Sequence, residues 1–164
     1  MTEKTTRITH PFEPIYDEKS RILILGSLPS EKSRKEGFYY MNPRNRFWKL
    51  LSLAFAEPFP EMNAKEKSDA LLRHGIALSD VVLSCEIYRS ADSSIRNVEY
   101  TDIPSILQKS KVQKILLNGA KAHALFLKRF PEYAAIAFLL PSTSPANAKC
   151  GIDELLTDWR PHLL

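Results

Sequence analysis

Four short stretches of the chain are largely apolar, with no regular alternation of polar positions. A strand with one face in water would alternate apolar and polar residues, so these stretches predict strands that are buried on both faces. Such strands are typical of a parallel sheet that is covered by helices. They span residues 21–25, 76–83, 112–117 and 134–140.

Between these stretches, apolar residues recur with the spacing of amphipathic helices. The predicted helices cover residues 45–56, 64–74, 103–110, 119–129 and 152–159. Because strands and helices alternate, the pattern predicts a doubly wound α/β domain with a mainly parallel sheet. The 164 residues contain no repeat, low-complexity segment or linker, so we expect a single domain over residues 1–164.

Each predicted strand is followed by a polar or Ser/Pro-rich segment. These segments are residues 26–30, 79–86, 118–119 and 141–145. Open parallel sheets bind their ligands at the carboxyl ends of the strands. We therefore expect the functional site where these four segments meet.

Several common catalytic motifs are missing. The sequence GSLPS at 26–30 is not the GxxxxGK[ST] phosphate loop, and no GxGxxG or GxSxG motif follows a strand. The four histidines form no HExxH motif, and we expect surface or structural roles for them. The two cysteines, Cys85 and Cys150, are too few for an iron–sulfur or Cys-rich zinc site. We expect no metal.

The net charge of +4 is concentrated in residues 31–49, which contain six basic and two acidic residues. The same segment contains aromatic residues at 38–40 and 47–48. Cations interleaved with aromatic rings allow a surface to hold phosphates and to stack bases. We expect Phe47 and Trp48 to be core residues of a helix, whereas the aromatic residues at 38–40 are equally compatible with stacking and with burial.

The segment LPSTSPANA at 140–148 is a second candidate for nucleic-acid contact. Serines in a proline-stiffened turn expose backbone N–H groups and hydroxyls that bind phosphate oxygens, and Ala146 or Asn147 could enter a DNA groove. The alternative is an ordinary capped turn before the last helix.

No apolar stretch is long enough to span a bilayer, and the N-terminal residues are polar where a signal peptide would be apolar. We expect no membrane association and a cytoplasmic, nucleoid-associated protein that acts as a monomer.

Six segments, in this order along the chain, resemble the hypoxanthine-DNA glycosylases, a branch of the uracil-DNA glycosylase superfamily. They are HPFEPIYDEKSRILILGSLPS, GFYYMNPRNRFW, RHGIALSDVV, SSIRNV, LLNGAKA and LPSTSPANA. The resemblance implies a three-layer α/β/α sandwich around a central, mainly parallel four-stranded sheet, with residues 1–20 packed on the domain. It also implies removal of deaminated bases from double-stranded DNA, as the first step of base excision repair, with no metal or organic cofactor.

Better-known members of the superfamily place an Asp or Asn where this chain has Leu28. The usual water-activating side chain is therefore missing. The resemblance implies that Asn45 compensates for it and that Asn118 contacts the base or assists catalysis. Ser142 and Ser144 match the motif that grips the DNA backbone, and Ser79 stands where many relatives have tryptophan.

The resemblance and the chemistry together give two groups of candidate residues beside the catalytic pair Asn45 and Asn118. The base pocket is expected to comprise Gly26, Ser27, Leu28, Phe38, Tyr39, Tyr40 and Ser79. DNA contacts are expected from Ser30, Lys32, Arg44, Arg46, Ser142, Thr143, Ser144, Pro145, Ala146 and Asn147.

The expected chemistry needs no strong base, because preorganised dipoles can stabilise the charges that develop when a purine leaves the sugar. Backbone N–H groups near Gly26 and Ser27 would bind the oxygen at purine position 6 and reject the amino group of adenine. No lysine stands at a strand end to form a Schiff base, so we expect hydrolysis without strand cleavage.

Three alternatives stay open. The first is a uracil or mismatch glycosylase on the same scaffold. The second is a lesion-binding protein without activity, which Leu28 makes plausible. The third is a small-molecule-binding α/β protein, whose affinity for DNA would be absent or would not fall with salt.

Overall fold

The computed structural model describes residues 5–88 and 95–164, and within them seven strands form two sheets. In chain order the strands are β1 (Thr5–Thr9), β2 (Ile22–Gly26), β3 (Ile76–Asp80), β4 (Val82–Tyr88), β5 (Arg96–Tyr100), β6 (Lys114–Asn118) and β7 (Ala137–Leu140). The central sheet has the order β3-β2-β6-β7, and all its neighbouring strands are parallel. The sheet predicted from the apolar stretches is confirmed.

Helices cover both faces of the central sheet. Their bounds are α1 (Glu31–Glu36), α2 (Phe47–Phe55), α3 (Ala64–Arg73), α4 (Ile103–Gln108), α5 (Ala120–Arg129) and α6 (Ile152–Leu163), with short 3-10 helices at Phe59–Glu61 and Pro131–Ile136. Side chains from α2, α3 and α6 pack on one face of the sheet, against residues such as Ile22 and Ile24. Side chains from α4 and α5 pack on the other face, against Leu23 and Leu25. The three-layer α/β/α arrangement is confirmed.

The second sheet is antiparallel, with the order β1-β4-β5. It is not predicted by the apolar pattern, which indicates a single strand over residues 76–83. The chain leaves the central sheet at Val81, whose N–H donates to the carbonyl of Gly26, and then continues into β4. Along β4, exposed Leu83 lies between buried Val82 and Ser84, and the pairing of β4 with β5 is irregular on both sides of Ser84.

The N-terminal segment is tied to both sheets. Strand β1 pairs with β4, and Ile15 forms an antiparallel bridge with Leu78 of the central sheet. Residues 1–4 lie outside the described part of the chain, as do Ser93 and Ser94 of the SSIRNV motif.

Other elements also differ from prediction. Residues 134–136, predicted as the start of a strand, belong to the 3-10 helix Pro131–Ile136, and α6 extends past 159 to Leu163. Helix α1 was not predicted, although Ser30 caps it by accepting a hydrogen bond from the N–H of Ser33 and Gly37 ends it at φ 73°. Among the described residues, no helix combines the length and the apolar character that crossing a membrane requires.

Candidate functional site

The carboxyl ends of the four parallel strands open into one cavity of about 950 Å³. Its walls come from the segments after β2, β3, β6 and β7 and from residues 39–45, which precede α2. A cavity of this size is within the range of small-ligand sites. Its place at the strand ends agrees with the position expected from the topology.

Most of the candidate residues line this cavity. They are Gly26, Ser27, Leu28, Ser30, Tyr39, Tyr40, Asn45, Asn118, Ser142, Thr143, Ser144, Ala146 and Asn147. The structure therefore brings together residues that are up to 121 positions apart, from Gly26 to Asn147.

Phe38 and Ser79 lie elsewhere, and their assignment to the pocket is corrected. Phe38 is a core residue, 8% exposed, whose ring stacks on Trp48 with 5.9 Å between centroids. Ser79 is 1% exposed within β3. Phe47 and Trp48 are buried in the core, as expected.

Arg46, a predicted DNA contact, is half-buried and is bonded to the protein's own backbone. Its guanidinium donates to the carbonyls of Ser144 and Asn147, each at 3.0 Å, and to the carbonyl of Cys150. These bonds hold the loop after β7 against the start of α2. Lys32 also lies outside the cavity lining and pairs with Glu36 at 2.8 Å.

Two exposed candidates, Arg44 and Pro145, stand outside the described cavity lining. Arg34 and Lys121, which sequence reasoning did not select, are the cations that line it. The Nε atom of Arg34 is buried and has no hydrogen-bond partner among the described residues. Three basic residues lie within 31–36, but the sequence does not show which of them a six-residue helix turns toward the cavity.

A chain of hydrogen bonds joins Asn118, Thr143 and Asn45. The N–H of Thr143 donates to Oδ1 of Asn118 at 3.0 Å, and Nδ2 of Asn118 donates back to Oγ1 of Thr143 at 3.0 Å. The Thr143 hydroxyl then donates to Oδ1 of Asn45 at 2.8 Å. The N–H of Phe47 donates to the same Asn45 oxygen at 2.9 Å.

The direction of this chain is fixed because a backbone N–H can only donate. The N–H of Thr143 sets which amide atom of Asn118 is oxygen, and the N–H of Phe47 does the same for Asn45. Nδ2 of Asn45 makes no hydrogen bond within the described residues, and Asn45 lines the cavity. Asn45 therefore offers the cavity hydrogen-bond donors.

Asn118, which the resemblance implies contacts the base or assists catalysis, lines the cavity but is bonded within the protein. Besides Thr143, its Nδ2 donates to Oη of Tyr40 at 3.1 Å, so both amide protons are used within the protein. The side chain is 9% exposed. The geometry supports a role in positioning Thr143 and Asn45 rather than direct contact with a base.

Asp80 at the end of β3 and His10 just after β1 form a pair that sequence reasoning missed. Nε2 of His10 lies 2.8 Å from Oδ2 of Asp80, and both side chains are 4% exposed. Asp80 lines the cavity. Burial, and after it the charge of Asp80, raises the pKa of the hydroxyls of Tyr39 and Tyr40, so both stay protonated.

Two glycines allow the cavity walls to approach one another. A Cβ at Gly26 would lie 2.5 Å from Oδ1 of Asp80 and 2.8 Å from Oη of Tyr40. Gly119 has φ 99°, and a Cβ there would lie 3.0 Å from Cβ of Ser142. No group of three or more His, Cys, Asp or Glu side chains among the described residues is placed to hold a metal ion.

Comparisons with known proteins agree on one family. The family model of the Uracil DNA glycosylase superfamily matches residues 13–158. A protein named hypoxanthine DNA glycosylase from Methanosarcina acetivorans is 36% identical over 144 residues, which are 87% of this chain and 90% of the relative. A protein of the same name from Methanosarcina barkeri is 35% identical over 113 residues, 68% of this chain and 71% of the relative.

A solved structure shares the fold. The solution NMR structure of a Methanosarcina acetivorans protein, named as a candidate uracil DNA glycosylase, superimposes with a TM-score of 0.78 and 33% identity. The match covers 93% of this chain and 96% of that one.

The hydrogen-bond chain gives a prediction for stability. Thr143→Val preserves the shape of the buried side chain and leaves one of the two Nδ2 protons of Asn118 without an acceptor, so unfolding should require about 1–3 kcal/mol less free energy. Thr157→Val is the matched control, because the exposed Thr157 hydroxyl donates only to a carbonyl of its own helix. Urea denaturation of both variants measures the difference. Equal urea midpoints for the two variants would show that the Thr143 hydroxyl does not stabilise the fold by this amount.

Proposed function

Because the chain belongs to the uracil-DNA glycosylase superfamily, we propose that this DNA glycosylase removes hypoxanthine from deoxyinosine in DNA by hydrolysis, without cutting the strand. The observation that carries the proposal is the amide of Asn45, whose donors face a cavity that has no water-activating side chain at Leu28. The relatives named hypoxanthine DNA glycosylase support the choice of base.

A base inside a duplex cannot reach this cavity, so the nucleotide has to rotate out of the stack. The cavity is large enough for a purine. Tyr40, which is partly exposed and lines the cavity, offers more ring surface for stacking than Tyr39, which is 1% exposed. Double-stranded DNA containing a deaminated base is thus the proposed partner, and a monomer is the proposed acting form.

In the reaction, the bond between C1′ and N9 breaks and its electrons leave with the base, while a water oxygen forms a new bond to C1′. The water loses one proton and the departing base gains one. Negative charge develops on the purine as positive charge develops on the sugar. The Asn45 donors would stabilise the negative charge, and they are held in place before the substrate arrives.

The loop after β7 supplies donors suited to the DNA backbone. Oγ of Ser142 accepts from the N–H of Ser144, and Oγ of Ser144 accepts from the N–H of Ala146, each at 3.1 Å. Each hydroxyl keeps its own proton for a phosphate oxygen. Asn147 is bonded back to the carbonyl of Ser142, so Ala146 is the exposed residue best placed to enter a groove.

The same donors would suit the carbonyl oxygens of uracil, which makes a uracil glycosylase the second candidate. A duplex panel with a single deoxyinosine, deoxyuridine or deoxyxanthosine distinguishes the two candidates. We expect free hypoxanthine by chromatography from the inosine duplex, at a higher single-turnover rate than the other bases, with the strand intact until alkali is added. No base release from any duplex would contradict the proposal, and faster uracil release would favour the second candidate.

The donor role of Asn45 is tested by changing its chemistry at constant shape. Asn45→Asp replaces the amide donors by a carboxylate oxygen, so we expect inosine cleavage to fall by about 100- to 1,000-fold, as for the loss of an oxyanion donor. Asn42→Asp is the control, because it adds the same charge to another residue of the cavity wall. Retained cleavage in Asn45→Asp would indicate instead that this side chain accepts a proton from water.

The contribution of Arg34 to DNA binding can be measured from the salt dependence of the affinity for DNA. Loss of one phosphate contact in Arg34→Ala should weaken binding to any duplex and make the slope of log K against log salt shallower by about one. Lys35→Ala removes a neighbouring cation that is 74% exposed and lies outside the cavity lining. Fluorescence anisotropy over a salt series gives both slopes. The same slope in both variants would exclude a contact specific to Arg34.

A further inference from the structure

The hydrogen bonds of His10 show that one proton lies on the ring and that a second proton is shared with Asp80. Nδ1 of His10 lies 2.7 Å from the carbonyl oxygen of Phe12, which can only accept, so Nδ1 carries a proton. The second proton lies between Nε2 and Oδ2 of Asp80, which are 2.8 Å apart. The pair is either an imidazolium with a carboxylate or an imidazole with a carboxylic acid.

Both forms leave Oδ1 of Asp80 without a proton. In the first form the carboxylate is ionised, and in the second form the proton sits on Oδ2, where it points at His10. Oδ1 is therefore a hydrogen-bond acceptor in either case. It lies in front of Gly26, 2.5 Å from the position of a Cβ at that residue, in the wall of the cavity.

Deamination changes two atoms on the pairing edge of a base. An exocyclic amine becomes a carbonyl, and the neighbouring ring nitrogen changes from an acceptor to an N–H donor. Hypoxanthine carries this proton on N1, where adenine has a lone pair, and uracil carries it on N3, where cytosine has a lone pair. Donors such as Asn45 read the new carbonyl, and an acceptor is needed to read the new N–H.

We propose that Oδ1 of Asp80 accepts a hydrogen bond from the protonated ring nitrogen of the extruded base, and that His10 is the positioning residue that keeps this oxygen free of a proton. This specificity rests on the proposed function. An acceptor facing the N1 lone pair of adenine leaves two buried polar atoms unpaired, which is how a polar site rejects an analogue strongly. Guanine also has an N1–H, so Asp80 does not distinguish it from hypoxanthine.

The test pairs changes in the enzyme with a change in the substrate. Asp80→Ala removes the acceptor, and a duplex with 1-methylinosine removes the ring N–H. For a hydrogen bond between the two, either change alone should slow single-turnover base release by about 10- to 100-fold, and both together should cost little more than one. Full additivity of the two losses would overturn the proposal.

Conservative variants separate positioning from packing. In Asp80→Asn the amide donates to a neutral His10 and leaves an oxygen in the cavity, so we expect this variant, unlike Asp80→Ala, to keep the preference for inosine over 1-methylinosine. His10→Phe keeps a ring beside Phe12 and Tyr39 but loses the donor, and His10→Gln restores a donor. We expect the ratio of inosine to 1-methylinosine cleavage to collapse in His10→Phe and to recover in His10→Gln.

The outcomes distinguish this proposal from the proposed function. If the native enzyme releases no hypoxanthine, the proposed function has failed. If the native enzyme is active and Asp80→Ala keeps the native ratio of the two substrates, Asp80 does not read the base. If urea denaturation shows His10→Phe destabilised while its substrate ratio is native, His10 is structural only and the positioning role is wrong.

Discussion

The direction of one hydrogen-bond chain determines what the cavity can do. Two backbone N–H groups, of Thr143 and Phe47, can only donate, and they orient the amides of Asn118 and Asn45. The donors of Asn45 are thereby left facing the cavity. Because this orientation is set within the folded protein, it does not have to be established when charge develops on the base, and such preorganisation is where most electrostatic catalysis arises.

The three side chains of this hydrogen-bond network come from distant parts of the sequence. Asn118 ends β6, Thr143 follows β7, and Asn45 stands before α2. The two strands are parallel neighbours, so their ends arrive side by side. Arg46 then bonds the loop after β7 to the start of α2, which keeps Thr143 and Asn45 together. Arg46, which its charge suggests as a DNA contact, thus also stabilises the geometry of the site.

Sequence patterns predicted the buried strands and the position of the site, but not the contacts between side chains that are distant in sequence. The apolar stretch at 21–25 predicted a buried strand, which the structure has at Ile22–Gly26, and the parallel topology placed the site at its end. Nothing in the sequence links His10 to Asp80, which lie 70 positions apart. The sequence also does not distinguish the neighbouring aromatic residues Phe38 and Tyr39, of which only Tyr39 lines the cavity. In physical terms, hydrophobic periodicity indicates which face of a helix or strand is buried, but not which side chains are in contact in the folded protein.

A crystal structure of the enzyme on a duplex with an uncleavable 2′-fluoro-deoxyinosine tests the account most directly. The account expects the hypoxanthine to be extruded into the cavity, with Nδ2 of Asn45 within about 3.2 Å of an acceptor on the base. Thr143 and Phe47 should still donate to Oδ1 of Asn45. An Asn45 whose oxygen faces the base or the attacking water, or a base bound outside the cavity, would contradict it.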